Sequence, residues 1–579
     1  MRRCLVAGVA LLSLFAGASP AIATEGSRFR PPVRSDEGVV ATESRQAARV
    51  GVHVLREGGN AIDAAVATVF AIGVARPQSC GIGGGGFLVY RGADGTRATL
   101  DFRETAPAAF TPTVFQGSGI FEDFSGHRTI GVPGVVDGMW EALERFGTID
   151  WADAIRPAEH LARRGITVTR SLSADMASQQ ERLELFPEAA DIYLKNGRRP
   201  YPVGSKLVQK DYARSLELIR KQGPRAFYEG RIARLIIRDM RRSGDLPGDR
   251  GLMRLRDLAG YDSKWRAPLT GTYRGHKVIA MPPPTSGGVA TLEMLNILEG
   301  FDVASFGHSS ADHFHFLSEA QKIAWADRNE YVADPDFVNV PTRALTSKSY
   351  AAKRRREISG ERAKKYEPGN FGNAVSASTD AQGGTTTHLS FIDQWGNAVA
   401  VTCTIEQSFG SGVVAPGTGF LLNNEMTDFG DPGTANEPEG GKRPRSSMSP
   451  TIVAHEGEPV LVTGGAGGPL IIMGVLHAIV NYVDFDMDIA HAVDAERSDA
   501  QLAVTEPGFP LLLEDGRVPA AVENELESRG HELVTLEGIY EPEDEYAVLP
   551  RIQAAGVDPA SGQRLGVSDP RAENGTLGQ

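Results

Sequence analysis

The sequence contains little cysteine, with three residues in a chain of 579. Three are too few for the disulfide framework of a small secreted domain, and a chain of this length buries enough apolar surface to fold without one. Cys4 lies in an N-terminal segment discussed below, which leaves Cys80 and Cys403 for the folded protein. These two could pair, and their spacing does not decide the matter. We expect two buried free thiols.

The sequence also lacks a basic excess and any apolar run long enough to span a membrane comfortably. Its formal net charge is −13, whereas a nucleic-acid surface needs a basic face, so we expect no nucleic-acid partner. We expect no stable membrane anchor either. With 41% hydrophobic and 23% charged residues, the composition is that of a globular protein. It excludes a disordered, collagen-like or coiled-coil chain.

The first 23 residues have the pattern of an export signal. Arg2 and Arg3 precede an apolar run over residues 5–18, and Ala21-Ile22-Ala23 supplies the small residues of a cleavage site. The alternative is an uncleaved signal anchor, against which the shortness of the run counts. We therefore expect residues 1–23 to be removed and the mature protein to reach the periplasm or the medium.

No pattern in the sequence is typical of a metal or nucleotide site. His313 and His315 are two residues apart, on different faces of the helix expected there, and no third ligand follows at zinc-like spacing. The glycine cluster Gly81–Gly86 lacks the Lys-Ser/Thr ending of a phosphate loop. A tight turn packed against backbone is the better interpretation of these glycines. We expect neither a metal nor another cofactor.

Apolar spacing predicts two helices near the start of the mature chain. The first covers residues 47–55 and ends at Gly58-Gly59. Asn60 is placed to cap the second, which runs from Ala61 to about residue 74 and is apolar on all sides. A helix that is apolar all round is expected to be buried.

Strands are predicted over residues 87–90 and 98–102, and the second delivers Arg103 at its end. The middle of the chain, from about residue 110 to 345, is predicted to be mostly helical. A stretch dense in Arg and Lys over residues 353–365 then opens a connector that runs to Gly384. Its charge and its later content of small residues predict an exposed, loosely ordered segment.

Two alternating segments, Thr387–Asp393 and Asn397–Thr404, predict a β-hairpin. With a three-residue loop centred on Trp395, the numbers of paired residues sum to 790, and Thr386 lies opposite Thr404. A two-residue loop would shift the partner by one residue. Either register brings the start of the first strand next to the end of the second.

A glycine-rich turn is predicted near the end of a later strand. The strand covers residues 459–463, and Gly464–Gly468 then leads into a helix with Pro469 in its first turn. Backbone N–H groups of Gly467 and Gly468 at such a helix start meet the physical requirement for an oxyanion hole.

Several polar residues have the chemistry of a pocket for an amino-acid head group. Thr386, where the connector meets a strand, is a candidate nucleophile. Arg103 with Ser446 and Ser447 could bind a carboxylate. Three acids could bind an ammonium group: Glu406, Glu425 and Asp428.

Ten short motifs lie along nearly the whole mature chain: GGNAIDAA (58–65), GIGGGGF (81–87), DFRETAP (101–107), GVPG (131–134), PPPTSGG (282–288), TTHLS (386–390), LLNNEMTDF (421–429), KRPRSSMSPT (442–451), GGAGG (464–468) and DPR (569–571). With these motifs the chain closely resembles the γ-glutamyltransferase (γ-glutamyltranspeptidase) family of N-terminal nucleophile hydrolases. The resemblance implies an α+β fold, a four-layer αββα sandwich built from two subunits of one precursor.

The resemblance further implies that the precursor cuts itself before Thr386. The Thr386 hydroxyl attacks the carbonyl of Thr385, and hydrolysis of the resulting ester leaves a large subunit, residues 24–385, and a small catalytic subunit, residues 386–579. Both are intertwined in one domain. The freed α-amine, with an ordinary pKa of about 7.7–8.0, then acts as the base for the same residue's hydroxyl. Thr404 orients Thr386.

By the same resemblance, Arg103, Ser446 and Ser447 bind the α-carboxylate of the substrate, while Gly467 and Gly468 stabilise the oxyanion. The α-ammonium group is bound by the three acids Glu406, Glu425 and Asp428. The implied donors are glutathione and other γ-glutamyl compounds. Their γ-glutamyl group forms an ester with the enzyme and passes to water or to an amino acid or peptide acceptor.

Two features depart from many members of the family. Acids stand at Glu406 and Glu425, where many members carry amides. Because three carboxylates around one ammonium group repel one another, we expect one of them to keep its proton or to pair with another cation. Only thirteen residues separate Asp428 from Lys442, where members with a lid have a longer insertion. This difference predicts an open pocket without a lid.

Three alternatives remain. A related acylase would act on cephalosporin or glutaryl side chains, which lack the α-ammonium that the acids are expected to bind. A related depolymerase would cleave poly-γ-glutamate, which an open pocket could admit. An exported binding protein with a dead site is disfavoured because Thr386, Thr404, Arg103 and the Gly467-Gly468 pair are all present.

Overall fold

A computed structural model describes residues 29–116, 125–243, 249–372, 384–504, 509–536 and 549–579. The predicted export signal, residues 1–23 with Cys4, lies outside the described residues. Among the helices of the described ranges, none has both the length and the apolar character that a membrane crossing requires.

Two seven-stranded antiparallel sheets pack face to face at the centre of the described part of the chain. Sheet A has the order β1-β20-β19-β15-β14-β11-β10, and sheet B has the order β21-β2-β12-β13-β3-β4-β9. The strands are β1 (Val33–Ser35), β2 (Val39–Ala41), β3 (Gly85–Arg91), β4 (Arg97–Asp101), β5 (Ile166–Thr167), β6 (Leu194–Lys195), β7 (Arg199–Pro200), β8 (Lys206–Leu207), β9 (Lys264–Arg266), β10 (Leu269–Tyr273), β11 (His276–Ala280), β12 (Thr386–Ile392), β13 (Ala398–Thr404), β14 (Thr451–His455), β15 (Glu458–Ala466), β16 (Ser498–Asp499), β17 (Pro510–Glu514), β18 (Glu532–Leu536), β19 (Arg551–Val557), β20 (Arg564–Ser568) and β21 (Leu577–Gly578).

Helices cover the outer faces of both sheets. They are α1 (Arg45–Arg56), α2 (Ala61–Ala75), α3 (Val135–Phe146), α4 (Trp151–Arg164), α5 (Arg170–Ser178), α6 (Gln180–Glu184), α7 (Pro187–Tyr193), α8 (Lys210–Gln222), α9 (Arg225–Tyr228), α10 (Arg231–Arg242), α11 (Leu255–Ala259), α12 (Gly287–Leu298), α13 (Val303–Phe306), α14 (Ala311–Tyr331), α15 (Thr342–Leu345), α16 (Lys348–Arg355), α17 (Ile471–Val483), α18 (Ile489–Asp494) and α19 (Ala520–Ser528). Because α1 and α2 pack on sheet B while α12 and α17 pack on sheet A, the predicted four-layer αββα sandwich is confirmed.

The two N-terminal helices form where the sequence predicts them. The Asn60 side chain accepts hydrogen bonds from the N–H groups of Ile62 and Asp63, and the Asp63 carboxylate accepts one from the Asn60 N–H at 2.8 Å. This reciprocal cap satisfies N–H groups that a helix start otherwise leaves unpaired. Every residue of α2 is buried, as its uniformly apolar sequence requires.

The hairpin of β12 and β13 has the register that a three-residue loop predicts. Thr386 pairs with Thr404 and Ile392 pairs with Ala398, so each pair of numbers sums to 790. Both strands are buried throughout, because one face packs on α2 and the other on sheet A. Thr386 therefore begins a strand in the interior of the molecule.

The glycine cluster lets the loop before β3 approach neighbouring backbone closely. A Cβ atom at Gly83 would lie 2.0 Å from the Leu421 carbonyl oxygen, and one at Gly84 would lie 2.0 Å from that of Thr404. No side chain fits at such distances. The interpretation of the cluster as a turn packed against backbone is confirmed.

Other predictions need correction. The middle of the chain also supplies strands β9, β10 and β11 to the two sheets. The stretch 353–365 is not a wholly exposed connector, because Arg354 is buried on α16 and donates to the Glu367 carbonyl oxygen at 2.7 Å. Residues 373–383 of that connector lie outside the described residues.

The strand predicted at 459–463 continues as β15 to Ala466, since Gly464, Gly465 and Ala466 pair with β19. A short 3-10 turn, Gly468–Leu470, then precedes α17. Gly468 therefore begins this turn, three residues before the α-helix, and Gly467 directly precedes the turn.

The expectation of two free thiols is wrong. Cys80 and Cys403 form a disulfide with their Cα atoms 5.6 Å apart, although 323 residues separate them in the sequence. Cys403 lies on β13 opposite Gly86 of β3, and Cys80 lies on the loop that leads into β3. Because the pairing of β13 with β3 brings the two cysteines together, sequence spacing could not reveal the bond.

Candidate active site

A cleft lies at one end of the sheets, where β4, β12 and β13 meet the turn before α17. Its walls include every site residue predicted from the sequence except Thr385 and Gly467. The lining residues are Arg103, Gly384, Thr386, Thr404, Glu406, Glu425, Asp428, Arg445, Ser446, Ser447, Met448, Gly468, Pro469 and Ile471. Chain segments far apart in sequence thus converge on one cleft.

The Thr386 hydroxyl donates to the Thr404 hydroxyl oxygen across the hairpin, at 3.2 Å. Thr404 in turn accepts a hydrogen bond from the Glu406 N–H at 2.8 Å. Both threonines are at least 95% buried. The pairing of the strands therefore holds the Thr386 hydroxyl in the cleft and fixes its direction.

Hydrogen bonds also hold Thr385, the residue directly before Thr386. The Thr385 N–H donates to the Glu406 carbonyl oxygen at 2.8 Å, and its hydroxyl donates to the Gln78 carbonyl oxygen at 2.8 Å. Glu406 itself has φ +76°, a left-handed conformation that costs a non-glycine residue of order 1–3 kcal/mol. Two hydrogen bonds thus hold Thr385, the residue that directly precedes the candidate nucleophile.

The glycine pair lies beside this peptide bond. Gly467 and Gly468 both have positive φ, +135° and +56°, and a Cβ atom at Gly384 would lie 3.8 Å from the Gly468 nitrogen. Only glycine adopts such conformations without strain. Gly468 lines the cleft together with Thr386, so the turn lies where the sequence predicts an oxyanion hole.

Arg103 is 1% exposed at the end of β4, and protein groups bind its guanidinium. Nη1 contacts the Glu425 carboxylate, and Nη2 lies 2.5 Å from the Asp428 carboxylate. Nε and Nη2 also donate to the carbonyl oxygens of Pro444 and Arg445, at 3.2 and 2.9 Å. Two of the three predicted ammonium-binding acids therefore already have a cation.

The third acid, Glu406, is placed differently. Its carboxylate accepts a hydrogen bond from the Gln407 side chain at 2.9 Å. Burial raises the pKa of Glu406 well above its usual value, and the Asp428 carboxylate raises it further. Burial also raises the pKa of Glu425 above its usual value despite Arg103. Protons therefore remain on buried acids of this cleft at pH values where exposed carboxyls are ionised.

Sequence reasoning missed Glu104, which follows Arg103 and is fully buried behind Glu425. Burial raises the pKa of Glu104 to about 8. A Cβ atom at Gly85 would lie 2.3 Å from a Glu104 carboxylate oxygen, so the glycine leaves room for this acid. The only sign in the sequence was its place in the DFRETAP motif.

Arg328 and Ser286 were also missed, and they hold the two predicted carboxylate-binding serines. Arg328 donates from Nη2 to the Ser447 hydroxyl oxygen and from Nε to the Ser286 hydroxyl oxygen, both at 2.8 Å. The Ser286 hydroxyl donates to the Ser446 carbonyl oxygen at 2.7 Å. Arg328 thus positions the Ser447 hydroxyl oxygen at the wall of the cleft.

The histidines on α14 make separate contacts, as their spacing predicts. His313 accepts from the Ser309 N–H, while His315 is hydrogen bonded to His531 at 2.9 Å. Glu319 lies near this second pair, but the Lys322 ammonium group contacts its carboxylate. None of these residues lines the cleft.

Comparisons with known proteins find relatives along nearly the whole chain. A family model described as gamma-glutamyltranspeptidase matches residues 47–578. The chain is 40% identical over 560 residues to the glutathione hydrolase proenzyme of Escherichia coli strain K12, covering 93% of this chain and 91% of that protein. It is 36% identical over 601 residues to the glutathione hydrolase proenzyme of Bacillus subtilis strain 168, covering 99% and 98%.

Among solved structures, a cephalosporin acylase from Bacillus halodurans superposes with a TM-score of 0.84 at 28% identity, covering 97% of this chain and 99% of that one. The αββα fold is thus shared by relatives with different names. The family match extends over most of the chain, and the relatives align from end to end. The chain belongs to the γ-glutamyltranspeptidase family.

Proposed function

We propose that this chain is an exported precursor that cuts itself before Thr386 and then hydrolyses or transfers the γ-glutamyl group of glutathione and related compounds. The observation that carries the proposal is the buried Thr386 hydroxyl, hydrogen bonded to Thr404 in a cleft that also holds Arg103 and three acids. This reaction needs a hydroxyl nucleophile, together with a cation and acids that can bind the carboxylate and ammonium groups of a zwitterionic substrate.

The cut is an acyl shift within the chain. The Thr386 hydroxyl oxygen attacks the carbonyl carbon of Thr385, and the C–N bond breaks as the nitrogen takes a proton. Water then hydrolyses the Thr385 ester. The hydrogen bonds of Thr385 to Gln78 and Glu406 support this step, because they restrict the residue that carries the attacked carbonyl. The products are residues 24–385 and residues 386–579.

The freed α-amine of Thr386 supplies the base that the precursor lacks. It removes the hydroxyl proton as the oxygen attacks the γ-glutamyl carbonyl carbon, and it returns the proton to the departing amine. The N–H groups of the Gly467-Gly468 turn stabilise the negative oxygen. Water, or the amine of an amino acid or peptide, then resolves the ester.

Recognition of the glutamyl head group requires exchange of partners around Arg103. The α-carboxylate binds Arg103 together with Ser446 and Ser447. Glu425 and Asp428 now contact the Arg103 guanidinium, and the α-ammonium group of the substrate takes the place of some of these contacts. A zwitterion adds no net charge to the cleft. A glutaryl side chain adds an anion without the ammonium group, next to acids, which argues against the acylase alternative.

An open pocket is supported by the short link after Asp428. Asn436 on this link donates to the Asp428 carbonyl oxygen at 2.7 Å, and the Lys442 ammonium group donates to the Ala435 and Glu437 carbonyl oxygens at 2.8 and 3.0 Å. The link is folded on itself, and none of residues 429–441 lines the cleft. Polymeric γ-glutamyl donors are therefore a second candidate substrate class.

Turnover of γ-glutamyl p-nitroanilide against glutaryl p-nitroanilide tests the donor class. We expect the γ-glutamyl compound to be preferred, because only it provides the ammonium group for the acids. Release should accelerate when a dipeptide acceptor is added, if transfer accompanies hydrolysis. Preference for the glutaryl compound would contradict the proposal and support the acylase alternative.

Substitution of Thr386 tests the nucleophile. Thr386→Ala should leave one full-length band on a reducing denaturing gel and abolish turnover, whereas Thr386→Ser, which keeps a hydroxyl, should retain both activities at lower rates. Thr387→Val is the matched control, because this neighbouring hydroxyl has no hydrogen-bond partner among the described residues. A complete cut in Thr386→Ala would exclude the proposed self-cleavage.

The raised pKa of Glu406 predicts a pH-dependent KM. Below that pKa the carboxyl is protonated, and binding an ammonium group beside it favours loss of the proton. KM for the γ-glutamyl donor should therefore fall as pH rises above the range where ordinary carboxyls titrate, until the donor's own amine loses its proton. Glu406→Gln should flatten this profile, and the exposed Glu439→Gln should keep it. An unchanged profile in Glu406→Gln would contradict the assignment.

Removal of Arg328 tests how Ser447 is positioned. Arg328→Met should raise KM for γ-glutamyl p-nitroanilide roughly tenfold with little change in kcat, the loss expected for one hydrogen bond to a charged group. Ser447→Ala in the same background should add little. The effect should be absent for 4-aminobutanoyl p-nitroanilide, which lacks the α-carboxylate. Arg343→Met, on an exposed arginine, is the control; equal losses with both donors would indicate a general structural role.

A further inference from the structure

We infer that the two subunits remain covalently joined after the self-cut, through the disulfide between Cys80 and Cys403. The inference rests on the proposed cut before Thr386. Cys80 lies in residues 24–385 and Cys403 in residues 386–579, so the cut leaves one cysteine in each subunit. The bond that the structure shows within one chain becomes a bond between two.

Composition leaves these cysteines no other partner within the mature protein. The chain has three cysteines, and Cys4 lies in the segment expected to be removed on export. Cys80 and Cys403 are both fully buried, which excludes pairing with a second molecule in the folded state. A bond between them is therefore the one that the mature chain can form.

The bond lies beside the cut. Cys403 directly precedes Thr404, whose hydroxyl orients Thr386, and it pairs across the hairpin with Thr387. On the other side, the residues before Cys80 bind the small subunit, since the Ser79 carbonyl oxygen accepts from the Ile405 N–H at 3.2 Å. The disulfide thus fastens a large-subunit loop to the strand that carries the orienting threonine.

Formation of the bond is a two-electron oxidation. Two thiols lose two protons and two electrons, and the acceptor is a disulfide-bearing oxidant of the compartment that receives exported proteins. One cysteine thiolate attacks that oxidant, the second displaces it, and the oxidant leaves as a dithiol. Such oxidants act outside the cytosol, in agreement with the proposed export.

Denaturing gels of the purified active enzyme, alkylated with N-ethylmaleimide before loading, test the inference. Without reductant we expect one band close to the uncut mature chain, and with reductant we expect its complete replacement by the two subunits. Cys403→Ser should give two bands in both lanes. In the uncut Thr386→Ala variant, an unreduced digest should contain the linked Cys80 and Cys403 peptides.

The outcomes separate the inference from the proposed function. Two bands without reductant, with one alkylated cysteine in each subunit by intact mass, would overturn the covalent link and leave the self-cut in place. A single full-length band that persists under reduction would overturn the self-cut, while the digest of Thr386→Ala would still decide whether the disulfide forms.

Discussion

The antiparallel pairing of β12 with β13 is the constraint on which the site depends. Its register sets Thr386 against Thr404, and the next pair places Thr387 against Cys403. Shifting the register by one residue would turn every side chain to the opposite face of the sheet, moving the hydroxyl away from the cleft. Because one face of the hairpin packs on α2 and the other on sheet A, such a shift would also bring threonines into apolar contacts.

A second constraint is charge in a buried cleft. Glu104, Glu406 and Glu425 are buried within reach of Asp428, and all three have raised pKa values. Ionising every one of them would bring repelling charges together away from water, whereas retained protons and the contacts of Arg103 reduce that repulsion. The cleft therefore suits a zwitterion, because its carboxylate can contact Arg103 and its ammonium group can contact the acids without any change in the net charge of the cleft.

Much of this organisation follows from local sequence. The cap at Asn60, the all-apolar α2 and the hairpin register depend on residues close in the chain, and pattern reasoning predicts each of them correctly. The proposed site residues were named from their side-chain chemistry and from the motifs that contain them. What could not be predicted are contacts between distant segments, such as the bond of Arg328 to Ser447 and that of Cys80 to Cys403, because nothing in their spacing specifies which strands become neighbours. Likewise, β15 continues through glycines because β19 pairs with them, not because glycine favours a strand.

Strands on the two sides of the proposed cut alternate within both sheets. In sheet B, β2 and β3 of the large subunit flank β12 and β13 of the small one, and in sheet A, β1 and β11 flank the small-subunit strands. Separation of the subunits would thus require breaking both sheets, so a disulfide is not needed to keep them together. Its effect is local. Once cut, Thr386 becomes a chain terminus, and termini fray unless they are tied down. Thr404, which orients Thr386, is the last residue of the adjacent strand β13. The disulfide at Cys403 limits the motion of this strand end, and therefore of the Thr386 hydroxyl and α-amine that the proposed reaction uses.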